Sequence, residues 1–165
     1  MAVFTSQQVL LAAIDTIKAA ENGFLITQGE SGYANSRLVQ AYGPEEDLTL
    51  WFGTHSKSRK VREIRVNNRV TVTFYDHKEA YYVTVLGTAK VINDVETKMK
   101  YWRNNWSTFF PKGPENEDYI LIRFEPTRIE IMNMNRDIAP EPYGLLPAVL
   151  VREADQWVLT KGEVG

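Results

Sequence analysis

Apolar and polar residues alternate along most of this chain. Leu48, Leu50 and Phe52 alternate with Thr49, Trp51 and Gly53, and Val70, Val72 and Phe74 alternate with Thr71, Thr73 and Tyr75. Tyr81, Val83, Val85, Gly87, Ala89 and Val91 carry the same rhythm through a longer stretch, as do Ile120, Ile122 and Phe124, then Ile129 and Ile131. A period of two marks strands with one buried face. Phe24–Gln28 reads as a short apolar strand and Tyr33–Tyr42 as a longer strand of mixed polarity. Gly29-Glu30-Ser31-Gly32, Gly43-Pro44-Glu45-Glu46-Asp47 and Asp76-His77-Lys78-Glu79 supply the turns. Gly87 inside its strand predicts a bend or bulge, and Pro126 predicts a break.

A second period appears three times. Val9, Leu10, Ala13, Ile14 and Ile17 form one stripe of a helix over 6–20, with Ser6 as N-cap and Glu21-Asn22-Gly23 as its stop. Val61 and Ile64 point inward from a short helix of about Arg59–Asn67. Asp94 caps a helix through about Asn105 that carries Val95, Met99 and Trp102. Residues 107–118 read as an irregular loop and 134–148, with Pro140, Pro142 and Pro147, as an extended arm. Val149–Val151 and Trp157–Thr160 suit a terminal hairpin around Glu153-Ala154-Asp155. About six long strands and three short helices predict a mainly β fold in which a closed antiparallel barrel hides the strand edges.

The 165 residues suit one domain, with 1–133 as its body and 134–165 as an arm and hairpin of the same unit. The absence of cysteine excludes disulfides, thiolate metal sites and thiol nucleophiles. Two histidines are too few for a typical zinc site, so no metal is expected. No apolar run approaches the roughly 18 residues of a membrane span, and Met1-Ala2-Val3-Phe4 lacks a basic n-region; a cytoplasmic location is expected.

Net charge is −2, yet residues 55–69 hold Lys57, Arg59, Lys60, Arg62, Arg65 and Arg69 against Glu63 alone, a local +5 on a remainder of −7. Arg62, Arg65 and Arg69 suit a solvated helix face, and Arg59–Glu63 an i,i+4 pair. The patch contains no aromatic residue, which speaks against nucleic acid.

The sharper signal lies at the start of that patch. Trp51-Phe52-Gly53-Thr54-His55-Ser56-Lys57-Ser58-Arg59-Lys60 joins a strand to a helix and places hydroxyls, a glycine and cations at the junction. The first N–H groups of a helix have no intrahelical partner, and the helix dipole makes that end positive. Ser58 as N-cap with Arg59 and Lys60 in the first turn describes a phosphate cradle. The junction lacks the spacing of a P-loop.

These residues carry a resemblance. Ser36-Arg37-Leu38-Val39, Thr54-x-x-x-Ser58-Arg59-Lys60-x-x-x-Ile64 followed by Asn68-Arg69-Val70, and Arg128-Ile129-Glu130-Ile131 resemble the pyridoxamine 5'-phosphate oxidase-like superfamily of FMN-binding split barrels. The general stress protein branch is the nearest match, over about Phe24–Asn133. The middle pattern is the specific one. The resemblance implies a six-stranded antiparallel split β-barrel of Greek-key type, homodimeric, with FMN at the subunit interface. It places the phosphate-binding arginine on Arg37, the strand backbone beneath the flavin on Leu38 and Val39, and a strand-end pair near the flavin on Gly53 and Thr54. The helix-start phosphate ligands fall on Ser58, Arg59 and Lys60. Arginine's fork and lysine's point charge suit a phosphomonoester, and Gly53 allows a flat ring close to the backbone. The alternative for Arg37 is an ion pair with Glu45 or Glu46.

The departures bear on activity. Tyr42 stands where vitamin B6 phosphate oxidases have a lysine, Met132 where they have a tryptophan, and no histidine follows Arg136. Tyr82 replaces their glutamine on the long strand and is carried as a candidate cofactor contact. These differences speak against vitamin B6 oxidation and leave the phosphate ligands intact. The expected function is a flavin-dependent oxidoreductase acting in stress response on an unknown small redox partner, with no catalytic side chain assigned. The alternative is a flavin reservoir or redox sensor without turnover. Related split barrels hold a deazaflavin or haem; the histidine count disfavours haem. Trp102, Trp106, Phe109 and Phe110 suit a core lid or dimer packing, or a contact over the partner's flavin.

Overall fold

In the computed structural model, which describes residues 4–138 and 146–160, the alternation becomes eight strands. They are β1 (Asn22–Gln28), β2 (Ala34–Gln40), β3 (Leu50–His55), β4 (Arg69–Asp76), β5 (Tyr81–Ile92), β6 (Tyr119–Met132), β7 (Ala148–Glu153) and β8 (Gln156–Thr160). Helices α1 (Ser6–Ala20), α2 (Arg59–Val66) and α3 (Val95–Lys100) are interspersed. All pairings are antiparallel, in the order β2-β1-β4-β5-β6-β7-β8, and β3 also pairs with β6. Edge strands β2 and β3 meet at one isolated bridge, Tyr42–Trp51, so the sheet is open there rather than closed as expected. The terminal hairpin is present as β7–β8 and extends the sheet past β6.

Inward residues of both the long strands and α1 form one core: Val9, Ala13 and Ile17 of the helix meet Leu25, Val72, Phe74, Val85, Phe124, Ile129 and others. A second, aromatic cluster lies on the other face of β3 and β6. Trp51, Tyr101, Phe110, Tyr119 and Leu121 are buried there, with Tyr42, Trp102 and Trp106 packed against them. Trp51 stacks on Tyr101 with centroids 4.5 Å apart. This places the aromatic group as a packed lid within one chain; Phe109 alone of the four residues stays largely exposed.

Several boundaries differ from expectation for local reasons. Thr5, not Ser6, caps α1, through a capping box with Gln8. Ser6 Oγ instead accepts from Leu159 N at 3.1 Å, tying α1 to β8. α3 stops at Lys100, and a 3₁₀ turn over Asn104–Thr108 replaces the expected last turns. Pro126 does not break β6. The register shift between Leu86 and Gly87 absorbs it, and a Cβ on Gly87 would stand 2.2 Å from Glu125 O, so the close approach requires glycine. The arm begins with a 3₁₀ turn over Met134–Arg136 and the buried Ile138; residues 139–145 of that arm lie outside the described residues. No helix is long and apolar enough to cross a membrane among the described residues.

Candidate functional site

The period of two on β2 turns Asn35, Arg37 and Val39 to one side and Ser36, Leu38 and Gln40 to the other. The inward set meets Thr27 of β1, which pairs with Asn35 in register, and the start of α2. Arg37 Nη1 donates to Thr27 Oγ1 at 2.6 Å and to Leu25 O at 3.3 Å, and Arg37 Nη2 donates to Glu63 Oε2 at 3.0 Å. Of its five N–H donors, Nε–H and one on Nη2 therefore have no partner among the described residues. Arg37 does not pair with Glu45 or Glu46. Glu45 is taken by Tyr101 and Lys100, and the carboxylate that α2 delivers, Glu63, is nearer.

The start of α2 is unsatisfied. Ser58 occupies the N-cap position but makes no capping bond; its Oγ lies 3.3 Å from Thr54 Oγ1. The backbone N–H groups of Arg59 and Lys60 have no acceptor among the described residues. Lys60 is half-buried and makes no side-chain hydrogen bond or ion pair among them. Burial, and then the charge of Arg37, hold its ammonium below the usual lysine range. Two cations, two amides without an acceptor among the described residues and a hydroxyl are a donor set of the kind that fits a phosphomonoester. Arg59 is more exposed and faces Glu63 across 3.6 Å, the i,i+4 pair expected.

Glu63 is the residue that sequence reasoning undervalued. It is 4 % exposed and accepts from Thr27 Oγ1, from Asn35 Nδ2 at 2.5 Å and from Arg37. The sequence marks it only as the single acid among six cations; its burial comes from the tertiary packing. Burial raises its carboxyl pKa, but hydrogen bonds from Thr27, Asn35 and Arg37 and the charge of Arg37 outweigh that and leave it below the usual glutamate range. A carboxylate depressed on folding stabilises above its unfolded pKa, and that contribution disappears as pH falls through the folded value. The apo protein is therefore expected to lose melting temperature as pH falls below the ordinary glutamate value of about 4.5, and Glu63→Gln to flatten that part of the profile; identical profiles would refute the assignment.

The other expected residues divide. Thr54 is buried beside Ser58, and Val39 packs against the core. Leu38 is 62 % exposed on the outer face, directly opposite the half-exposed Phe24 of β1. Tyr82 is on that same outer face, three strands away on β5, with its hydroxyl 3.0 Å from Met132 Sδ; Tyr81 beside it is core. Within one chain Tyr82 is not brought to the Arg37–Lys60 cradle. A flat ring does lie on Gly53, but it is the indole of Trp106: a Cβ at Gly53 would stand 1.7 Å from its Cζ3. His55 reaches Asp118 at 3.8 Å and remains exposed; Ser56 also bonds Asp118, which anchors the loop before α2. Arg136 pairs with Asp15 at 2.7 Å. Among the described residues no group of three or more His, Asp or Glu could hold a metal.

The chain is 27 % identical over 130 residues to general stress protein 26 of Bacillus subtilis (strain 168), covering 77 % of this chain and 90 % of that protein. The fold is similar to that of a protein related to general stress protein 26 from Clostridium acetobutylicum, with TM-score 0.70, 16 % identity and 96 % of each chain covered. It is similar also to a pyridoxamine 5'-phosphate oxidase-related, FMN binding protein from Nostoc punctiforme, with TM-score 0.68, 14 % identity, and 99 % and 100 % coverage. The family described as pyridoxamine 5'-phosphate oxidase like matches residues 10–138, which take in the cradle, the open edge between β2 and β3 and all of β6, and the chain belongs to that family.

Proposed function

We propose that this protein binds FMN through its phosphate and uses it as a flavin-dependent oxidoreductase in a stress response. The observation that carries the reading is the half-buried Lys60 beside Arg37, unpartnered among the described residues, at the uncapped start of α2. Lys60 Nζ, the free edge of Arg37, Ser58 Oγ and the amides of Arg59 and Lys60 would hold the phosphate. Leu38, Val39, Gly53 and Thr54 would hold the rest of the flavin. When bound, FMN supplies hydride and single-electron chemistry, and the protein's part is to bind, orient and tune it. The name of the Bacillus relative and the FMN binding described for the Nostoc protein support the reading.

The same reading makes the protein a homodimer with the flavin between subunits. The outer face of β2-β1-β4-β5 carries Leu38, Phe24, Tyr75 and Tyr82, more apolar surface than water favours, and a second copy would cover it. Phe24→Asp is expected to convert a dimer to a monomer by light scattering and to weaken FMN; an unchanged mass would place the interface elsewhere.

Titration of apo protein with FMN, riboflavin and a deazaflavin, followed by flavin fluorescence, tests the cofactor. NAD(P)H oxidation by the loaded protein with a panel of acceptors tests turnover. Turnover no faster than that of free FMN would leave the reservoir or sensor reading, which the absence of a histidine after Arg136 favours.

A further inference from the structure

We infer that Glu63 is a positioning residue of the anion cradle: its buried carboxylate pins the guanidinium of Arg37 so that the free Nε–H and Nη2–H edge faces the place where a phosphate binds. The inference rests on the cradle reading above and goes beyond its ligand set, because Glu63 carries the charge a phosphate repels.

A carboxylate within 3.0 Å of a phosphate-binding arginine would ordinarily be a competitor. Three observations make it a support instead. First, Glu63 is committed. Thr27 and Asn35 from two strands and Arg37 all donate to it, and it is 4 % exposed, so it has no route to swing away or to follow a ligand. Second, the contact uses one side of the guanidinium. Thr27 Oγ1 receives Nη1 of Arg37 and itself donates to Glu63 Oε2, so hydroxyl, carboxylate and the Nη1–Nη2 end of Arg37 form one closed set. The remaining donors, Nε–H and one on Nη2, form arginine's other fork. Third, Glu63 leaves Lys60 alone. Lys60 is close enough to Arg37 for the two charges to repel, yet it makes no ion pair with Glu63, which instead faces Arg37 and Arg59. Glu63 thus neutralises one cation and leaves Arg37's free fork and Lys60 available together. An arginine without this anchor would keep several rotamers and lose that entropy on each binding event.

The readout that separates positioning from a strut is the preference for FMN over riboflavin, which isolates the phosphate. Wild type, Glu63→Ala, Glu63→Gln and Asn35→Ala are titrated with FMN, riboflavin and inorganic phosphate at one ionic strength. Glu63→Ala is expected to lose roughly tenfold or more of the FMN preference, with riboflavin affinity unchanged and phosphate binding weakened in parallel. Glu63→Gln keeps an acceptor for Arg37 and is expected to restore most of the preference. Asn35→Ala removes one donor to the carboxylate and is expected to give an intermediate loss. If Glu63→Ala does not fold, Glu63→Gln and Asn35→Ala decide, and wild-type preference in both overturns the inference. A folded Glu63→Ala with undiminished preference overturns it, as does one with increased preference, which would make the carboxylate a competitor. Wild type that binds neither phosphate nor FMN over riboflavin overturns it too. Phosphate binding that depends on Glu63 in a protein that takes neither flavin would support the inference while refuting the flavin reading.

Discussion

Lys60→Ala is expected to weaken FMN by roughly 10- to 100-fold, the value of one charge-assisted hydrogen bond of about 1.5–3 kcal/mol, while leaving the apo melting temperature unchanged or slightly higher. The reason is that Lys60 is a cost in the empty protein. It is half-buried, repelled by Arg37 and unpaired among the described residues, so its removal deletes no hydrogen bond or ion pair among them. Arg37→Ala is expected to weaken FMN as well, but the apo protein suffers. It strands the buried Glu63 carboxylate, and breaking one partner of such a pair costs about 3–5 kcal/mol. From sequence alone Arg37 and Lys60 look equivalent, two cations that could be removed together with little effect on melting; the Glu63 contact separates them. Adding Glu63→Gln to Arg37→Ala is expected to recover part of the lost stability, because the stranded charge is gone. Differential scanning fluorimetry of the apo variants beside flavin titration checks both halves. A Lys60→Ala variant that retains full FMN affinity would remove the cradle from this position.

Gly53→Ala is the second large effect. An added Cβ would stand 1.7 Å from Cζ3 and 2.1 Å from Cη2 of Trp106, distances at which the indole has to leave. Trp106 packs edge-on against Tyr42 and Tyr119 at centroid separations of 5.7 Å, so the displacement opens the outer aromatic cluster. Overpacking of this kind costs about 1–3 kcal/mol, or roughly 2–4 °C of melting temperature per kcal/mol in a chain of this size. Tryptophan emission is expected to shift to the red as Trp106 gains water. A stable variant with unchanged emission would mean that the 3₁₀ segment over Asn104–Thr108 gives way freely. The same substitution reports on the flavin. If the ring of FMN reaches Gly53, it does so with Trp106 already on the backbone, so loss of the indole is expected to alter flavin fluorescence quenching more than phosphate affinity.

The alternating strands, the bulge at Gly87 and the helix after Ser58 were legible in the sequence because each rests on local periodicity or on backbone sterics. So was the cationic start of α2, since cap position, dipole and charge are set within a few residues. What was not legible has a common cause: it depends on which residues distant in sequence share a rung or a face. Pro126 could sit in a strand only because the partner strand bulges opposite it. Gly53 met an indole rather than open space because residues 104–108 return over β3. Tyr82 and Arg37 are both on strands, yet the parity of their positions puts them on opposite faces, and only strand order fixes how far apart they lie. Arg37 took Glu63 as partner because β1, β2 and α2 converge there, and burial turns an ordinary i,i+4 acid into the anchor of the cradle. Local chemistry thus named the cations, and tertiary packing, through burial and the exclusion of water, decided which of them are paired and which have no partner among the described residues.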